Sequence, residues 1–72
     1  MAIKKGIYRH YKGNLYQVLA LARHSETEEE LVVYQTLYGD YDYWVRPRNM
    51  FEESVVRDNR QVPRFELIRE FD

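Results

Sequence analysis

Leu15-Tyr16-Gln17-Val18-Leu19-Ala20-Leu21-Ala22-Arg23 is the stretch on which the fold turns. Its Leu and Ala residues favour a helix, so on composition alone it reads both ways. Its surroundings favour a strand. Lys12-Gly13-Asn14 directly before it is a turn, because Gly and Asn accept positive φ at low cost, and the segment opens with Tyr-Gln-Val alternation. With a strand here, Gly6 to Tyr11 becomes its hairpin partner. Leu31 to Tyr38, rich in Val, Tyr and Thr, becomes the next strand after a polar Glu26 to Glu30 loop.

The rest of the chain follows in the same style. Gly39-Asp40-Tyr41-Asp42 turns it, Tyr43 to Arg46 is a strand, and Pro47 ends that strand's central hydrogen bonding. Arg48 to Glu53 fits one helical turn. Ser54 to Arg57 and Pro63 to Ile68 read as short strands, with Asp58-Asn59-Arg60 as a turn between them. About five short strands with tight turns and one short helical turn predict an all-β fold, a small barrel or roll spanning residues 1–72 as a single domain.

A chain of 72 residues buries only about 60% of its unfolded surface. With no cysteine it has no disulfide or thiolate zinc site to help it. Packing must supply the core, and seven Tyr, three Phe and one Trp are the residues to do it. The net charge of −1 argues against a strong non-specific nucleic-acid binder. The charges are nonetheless segregated: Lys4, Lys5, Arg9 and Lys12 precede any acid, whereas Glu26, Glu28-Glu29-Glu30 and Glu52-Glu53 gather later. No apolar run approaches the roughly 18 residues of a membrane span, and the start has no signal-peptide core. A soluble, cytoplasmic protein without a membrane partner is expected.

Gly6-Ile7-Tyr8-Arg9-His10-Tyr11-Lys12-Gly13, Ala22-Arg23-His24-Ser25-Glu26-Thr27, Val32-Val33-Tyr34, Leu37-Tyr38-Gly39, Trp44-Val45-Arg46-Pro47 and Met50-Phe51 together resemble the bacterial domain-of-unknown-function family 1653. The resemblance covers nearly the whole chain in order and spacing. It implies an SH3-like β-barrel roll in a small bacterial protein, and it implies no activity.

His24-Ser25-Glu26-Thr27 is the one run that brings a histidine, a carboxylate and hydroxyls together in a strand-and-turn setting. If the second and third strands pair across the Glu26 to Glu30 loop, His24 faces Val32, Ala22 faces Tyr34, and Tyr16, Val18 and Ala20 share that side. A three-residue loop before the fourth strand sets Arg46 opposite Tyr34 and Trp44 opposite Thr36, on the same side. A four-residue loop sets Arg46 opposite Gln35, on the other. The first arrangement is preferred because it collects His24, Tyr34 and Arg46 around one hollow beside the small Ala20 and Ala22.

Such a hollow suits an anion. Arginine offers a planar fork to phosphate or carboxylate, histidine can donate or titrate, and Tyr and Trp offer stacking faces. The candidate ligand-binding residues are therefore His24, Glu26, Tyr34, Trp44, Arg46 and His10. Each also has a plain structural role: His24 as a satisfied strand-end histidine, Arg46 paired with Glu26 or another carboxylate, Trp44 in the core, Tyr34 half-buried. His10, His24 and Glu26 match no zinc spacing, so neither metal nor cofactor is expected. Ser25 and His24 point to opposite faces and make no nucleophile pair.

The function expected is a non-catalytic module binding a nucleotide or short RNA, through a mixed set drawn from Arg9, Lys12, Arg23, Arg46 and Arg48 with Tyr11, Tyr41, Tyr43 and Trp44. One alternative is a protein-interaction or oligomerisation domain using a strand edge, as a monomer or weak dimer. The other is a small hydrolase with His24 or Glu26 as base and Arg46 as anion stabiliser.

Overall fold

The computed structural model describes residues 3–71. In chain order they form β1 (Gly6–His10), β2 (Leu15–Arg23), β3 (Glu30–Thr36), β4 (Tyr43–Pro47), a helical turn α1 (Arg48–Phe51), β5 (Ser54–Arg57), β6 (Arg60–Pro63) and β7 (Phe65–Glu70). The main sheet is antiparallel in the order β4-β3-β2-β1-β7, and β5 and β6 make a separate hairpin. A four-strand meander whose first strand takes the last strand on its free edge, with a helical turn in between, is the SH3-like roll that the resemblance implies. Leu15–Arg23 is a strand, and the helical turn after Pro47 forms as expected.

Inter-strand spacing shows how far the sheet rolls. Tyr34 on β3 and Phe65 on β7 lie three strands apart, about 14 Å on a flat sheet, yet their ring centroids are 5.7 Å apart. Arg46 on β4 and Phe65 lie four strands apart, about 19 Å if flat, yet the guanidinium carbon is 5.6 Å from the ring centre. The two edges therefore curl toward each other around a shared interior. Strict alternation supplies that interior: on β3, Val32, Tyr34 and Thr36 are buried while their neighbours are not. Tyr8, Val18, Phe51 and Phe65 complete the core. Phe51, carried by α1, plugs the roll by stacking on Phe65 at 4.2 Å with the rings 7° from parallel.

Three details differ from the sequence reading. Ladder β2–β3 pairs Val18 with Tyr34 but Ala20 with Val33, so Leu19 is an extra residue and forms a bulge. Because strand faces alternate, one extra residue exchanges the faces beyond it. Leu21, opposite Val32, packs on the core, and Ala22 pairs with Leu31 rather than Tyr34. The loop before β4 spans 37–42, longer than three or four residues. It is shaped by positive φ at Gly39 and Tyr41. Finally, the last part of the chain is a hairpin and then a strand. Arg60–Pro63 returns along β5 across Asp58 and Asn59, both at positive φ. That conformation at both central residues is the hairpin turn whose twist matches the strands. The strand expected over Pro63 to Ile68 is Phe65–Glu70.

Closure also depends on Gly6. A Cβ there would lie 2.1 Å from the Arg69 carbonyl oxygen across the β1–β7 ladder. No side chain can yield to relieve a clash with backbone, so the closing strand would have to move. Gly6→Ala is predicted to cost about 1–3 kcal/mol, as overpacking does, which lowers Tm by about 4–8 °C per kcal/mol in a domain of this size. Thermal unfolding followed by circular dichroism checks this, and an unchanged Tm would mean that β7 does not close on β1 in this register.

Candidate functional site

The hollow lies at the mouth of the roll, where β2 and β4 begin and β3 ends, beside the 37–42 loop. It is about 250 Å³ and is lined by Tyr16, Tyr34, Thr36, Tyr38, Trp44 and Arg46. Arg46 does face the Tyr34 side, but it pairs with Val32, and Trp44 stands directly opposite Tyr34. Arg46 is thus Tyr34's diagonal neighbour, with its Nε donating to the Tyr34 hydroxyl at 3.5 Å, a long contact. Tyr34 is buried rather than half-buried. Trp44 is not a core residue: at 55% exposure its ring stands open at the edge of the sheet, because β4 has a neighbour on one side only.

The Arg46 side chain is half-buried, its guanidinium lying over the Phe65 ring. It pairs with neither Glu26 nor any other carboxylate: among the described residues none lies within ion-pair distance of it. The nearby acids serve other arginines. Arg48 engages Glu52 at 3.0 Å and Glu30 at 3.4 Å, and Arg64 engages Glu53.

His24 and Glu26 are elsewhere. His24 sits past the end of β2, some six residues and on the order of 20 Å from the Tyr34 level of the ladder. It does not face Val32; Leu21 does. The bulge and the turn together account for the change. Residues 24–29 close the hairpin, with the His24 amide donating to the Glu29 carbonyl and the His24 carbonyl accepting from the Glu28 amide. His24 Nδ1 accepts from the backbone amides of Glu26 and Thr27 at 3.1 and 3.2 Å. It is the satisfied strand-end histidine, and Glu26 is exposed beside it.

The histidine near the hollow is His10. It cannot meet His24, because β1 and β2 pair antiparallel and place the two at opposite ends of β2. The His10 ring lies 4.9 Å from Phe65, 6.2 Å from Tyr16 and 4.6 Å from Tyr11. Its Nδ1 accepts from the Lys12 amide at 3.1 Å. Burial lowers its pKa below the usual 6.5, and the positive charges of Arg46, Arg64 and Lys12 lower it further. Tyr16 is pushed up to about 12, first by burial and then by its hydrogen bond with the Tyr38 hydroxyl at 2.8 Å. The site therefore has a fixed positive charge, neutral rings and hydroxyls.

Of the mixed basic and aromatic set, Arg46 and Trp44 line the hollow, and Arg9 and Tyr11 line a second groove beside His10. Arg48 is committed to carboxylates, and Arg23 pairs with Glu30 in the far half of the β2–β3 ladder. Tyr38 and Phe65 are not among the sequence candidates. Tyr38 carries a signal in its place next to Gly39, at the end of a strand. Phe65 has none, since its neighbours come from closure by the last strand. No group of three or more His, Cys, Asp or Glu side chains is placed to hold a metal among the described residues. No helix there is long and apolar enough to cross a membrane.

Comparison with known proteins adds two findings. The profile of a family described as a protein of unknown function, DUF1653, matches residues 6–67. A crystal structure of a family member from Bordetella bronchiseptica is 36% identical and superposes with a TM-score of 0.87, covering 97% of this chain and 92% of that one. No curated protein matches.

His10 makes the site sensitive to acid. Its folded pKa is depressed, so below 6.5 the unfolded chain binds the proton more readily than the native one. The stability it contributes is complete above 6.5 and is lost as pH falls through the folded value. From about pH 7.5 to about pH 5, the wild type is predicted to lose more Tm than His10→Phe, which keeps the ring contacts. Parallel curves for the two proteins would contradict the assignment.

Proposed function

The chain belongs to the DUF1653 family, and from the hollow at Arg46 we propose that it is a non-catalytic module that binds an anionic ligand, a nucleotide or short RNA. The supporting observation is Arg46: a half-buried arginine that no carboxylate among the described residues neutralises, lining a hollow whose open wall is Trp44. Burying a charge without a counter-charge is costly, and a phosphate in the hollow supplies one. Guanidinium geometry suits a phosphate's paired oxygens. Trp44 and Tyr38, 55% and 41% exposed, offer faces for a base.

The hydrolase alternative loses its geometry, since neither His24 nor Glu26 lines the hollow with Arg46. The remaining polar groups there are the Tyr hydroxyls and Thr36, whose Oγ1 donates to the Tyr38 carbonyl at 3.1 Å. His10, the nearest histidine, lines the neighbouring groove instead, behind Tyr16 and Phe65. A second reading rests on β4 itself, an edge strand whose Tyr43, Trp44 and Val45 are 68%, 55% and 58% exposed. A protein segment adding as a further strand would use that edge.

Titration calorimetry with adenosine monophosphate separates these. Arg46→Gln is expected to weaken binding about 10–100-fold, the value of a charge-assisted hydrogen bond of about 1.5–3 kcal/mol. Trp44→Ala costs about 1–3 kcal/mol of stacking, and His24→Ala leaves affinity unchanged. Binding that ignores Arg46→Gln, or no heat at millimolar nucleotide, would remove the nucleotide reading and leave the β4 edge.

A further inference from the structure

Beyond His10 the surface opens into a second groove of about 240 Å³, between the end of β1 with its turn and the β5–β6 hairpin. Arg9, Tyr11 and Arg57 line it, with Pro63 on the hairpin side. Arg57 donates from its guanidinium to the Tyr11 carbonyl, which ties the hairpin to the β1 turn and holds the groove open between them. Neither Arg9 nor Arg57 lies within ion-pair distance of a carboxylate among the described residues. Lys12 stands 5.9 Å above the Tyr11 ring.

The groove and the Trp44 hollow are joined by rings. Tyr11 to His10 is 4.6 Å, His10 to Tyr16 is 6.2 Å, and Tyr16 to Tyr38 is 5.6 Å between centroids. Tyr11 and His10 belong to the groove, Tyr16 and Tyr38 to the hollow, and the His10–Tyr16 pair joins the two. Positive charge flanks this run: Arg9, Lys12 and Arg57 at the Tyr11 end, and Arg46 alongside, over the Phe65 ring that meets both His10 and Tyr16. Aromatic faces in series flanked by cations are the pattern that suits single-stranded nucleic acid, with bases on rings and phosphates on basic side chains. In a duplex the bases are stacked internally, and such rings could not reach them.

We propose that the groove is a second nucleotide subsite, so that the protein holds a single-stranded oligonucleotide of two or three residues across the run from Trp44 to Arg57. This rests on the reading of Arg46 above and extends it. It accounts for a basic stripe in a chain of net charge −1: the cations are gathered along a run long enough for a short strand. Glu66 also lines the groove and faces Arg9 across the β1–β7 ladder. It tempers affinity at that end.

Calorimetry with adenosine monophosphate and with a single-stranded tri-adenylate tests the proposal. The trinucleotide is expected to bind at least about tenfold more tightly and with a steeper loss of affinity as salt rises. Arg9→Gln and Arg57→Gln each weaken the trinucleotide several-fold and leave the mononucleotide unchanged, and Glu66→Gln tightens the trinucleotide only. A mononucleotide that binds as tightly as the trinucleotide, or a trinucleotide indifferent to Arg9→Gln and Arg57→Gln, would overturn the second subsite while leaving the Arg46 site intact. If neither compound binds, both readings fall.

Discussion

The contact of Phe65 with the far side of the sheet is what the rest of this structure depends on. Phe65 opens β7, the strand that completes the roll, and its ring meets Phe51 from α1, Tyr34 from β3, Tyr16 from β2 and His10 from β1. Each such aromatic pair contributes about 0.5–1.5 kcal/mol beyond the area it buries, which matters in a chain too short for a large core. The same ring lies under the Arg46 guanidinium. One residue therefore closes the fold and positions the cation of the candidate site. Gly6 allows this closure from the other side, by letting the β7 backbone approach where any Cβ would intrude.

Closure also explains how a chain of nearly balanced charge comes to have a basic, ring-lined end. β2 carries the distinction along its length. Its first residues lie beside His10, Tyr38 and the mouth of the roll, whereas its last lead into the acidic 24–29 turn. Arg48 and Arg64 are taken up by Glu30, Glu52 and Glu53 on the flank of α1. Among the described residues Arg46, Arg9 and Arg57 are not so paired, and they line the two hollows. The arrangement separates cations paired with carboxylates from cations held by carbonyl, hydroxyl and ring contacts, whose charge stays open to a ligand.

Local pattern made much of this legible. Alternation on β3 pointed Tyr34 inward, Pro47 marked the change from strand to helical turn, and Lys12-Gly13-Asn14 set the first hairpin. Parity left the face of Arg46 open between two loop lengths, and a longer loop, 37–42, puts it opposite Val32 on the Tyr34 side. What escaped was non-local or unsigned. The bulge at Leu19 is made by an ordinary residue, with no glycine to announce it, and it exchanged the faces beyond Val18. That change, with the hydrogen-bonded 24–29 turn, removed His24 from the hollow. His10 and His24 look alike in sequence, each at a strand end before a turn and each accepting backbone hydrogen bonds through Nδ1. Only the docking of β7 against β1 decides which of them lies among the rings. Polar Arg60-Gln61 and terminal Pro63 concealed β6, although the Asp58-Asn59 turn was plain.

The central claim is that β7 closes the roll by setting Phe65 against Tyr34 and Arg46, residues three and four strands away. Nuclear Overhauser spectroscopy on the isotope-labelled protein tests it most directly. The account predicts cross-peaks from the Phe65 ring to the Tyr34 ring and to the Arg46 side chain, with the Arg46 methylenes shifted upfield by the ring. Cross-peaks from Phe65 confined to His10 and its β1 neighbours would mean an open sheet, and would contradict both the closure and the site built on it.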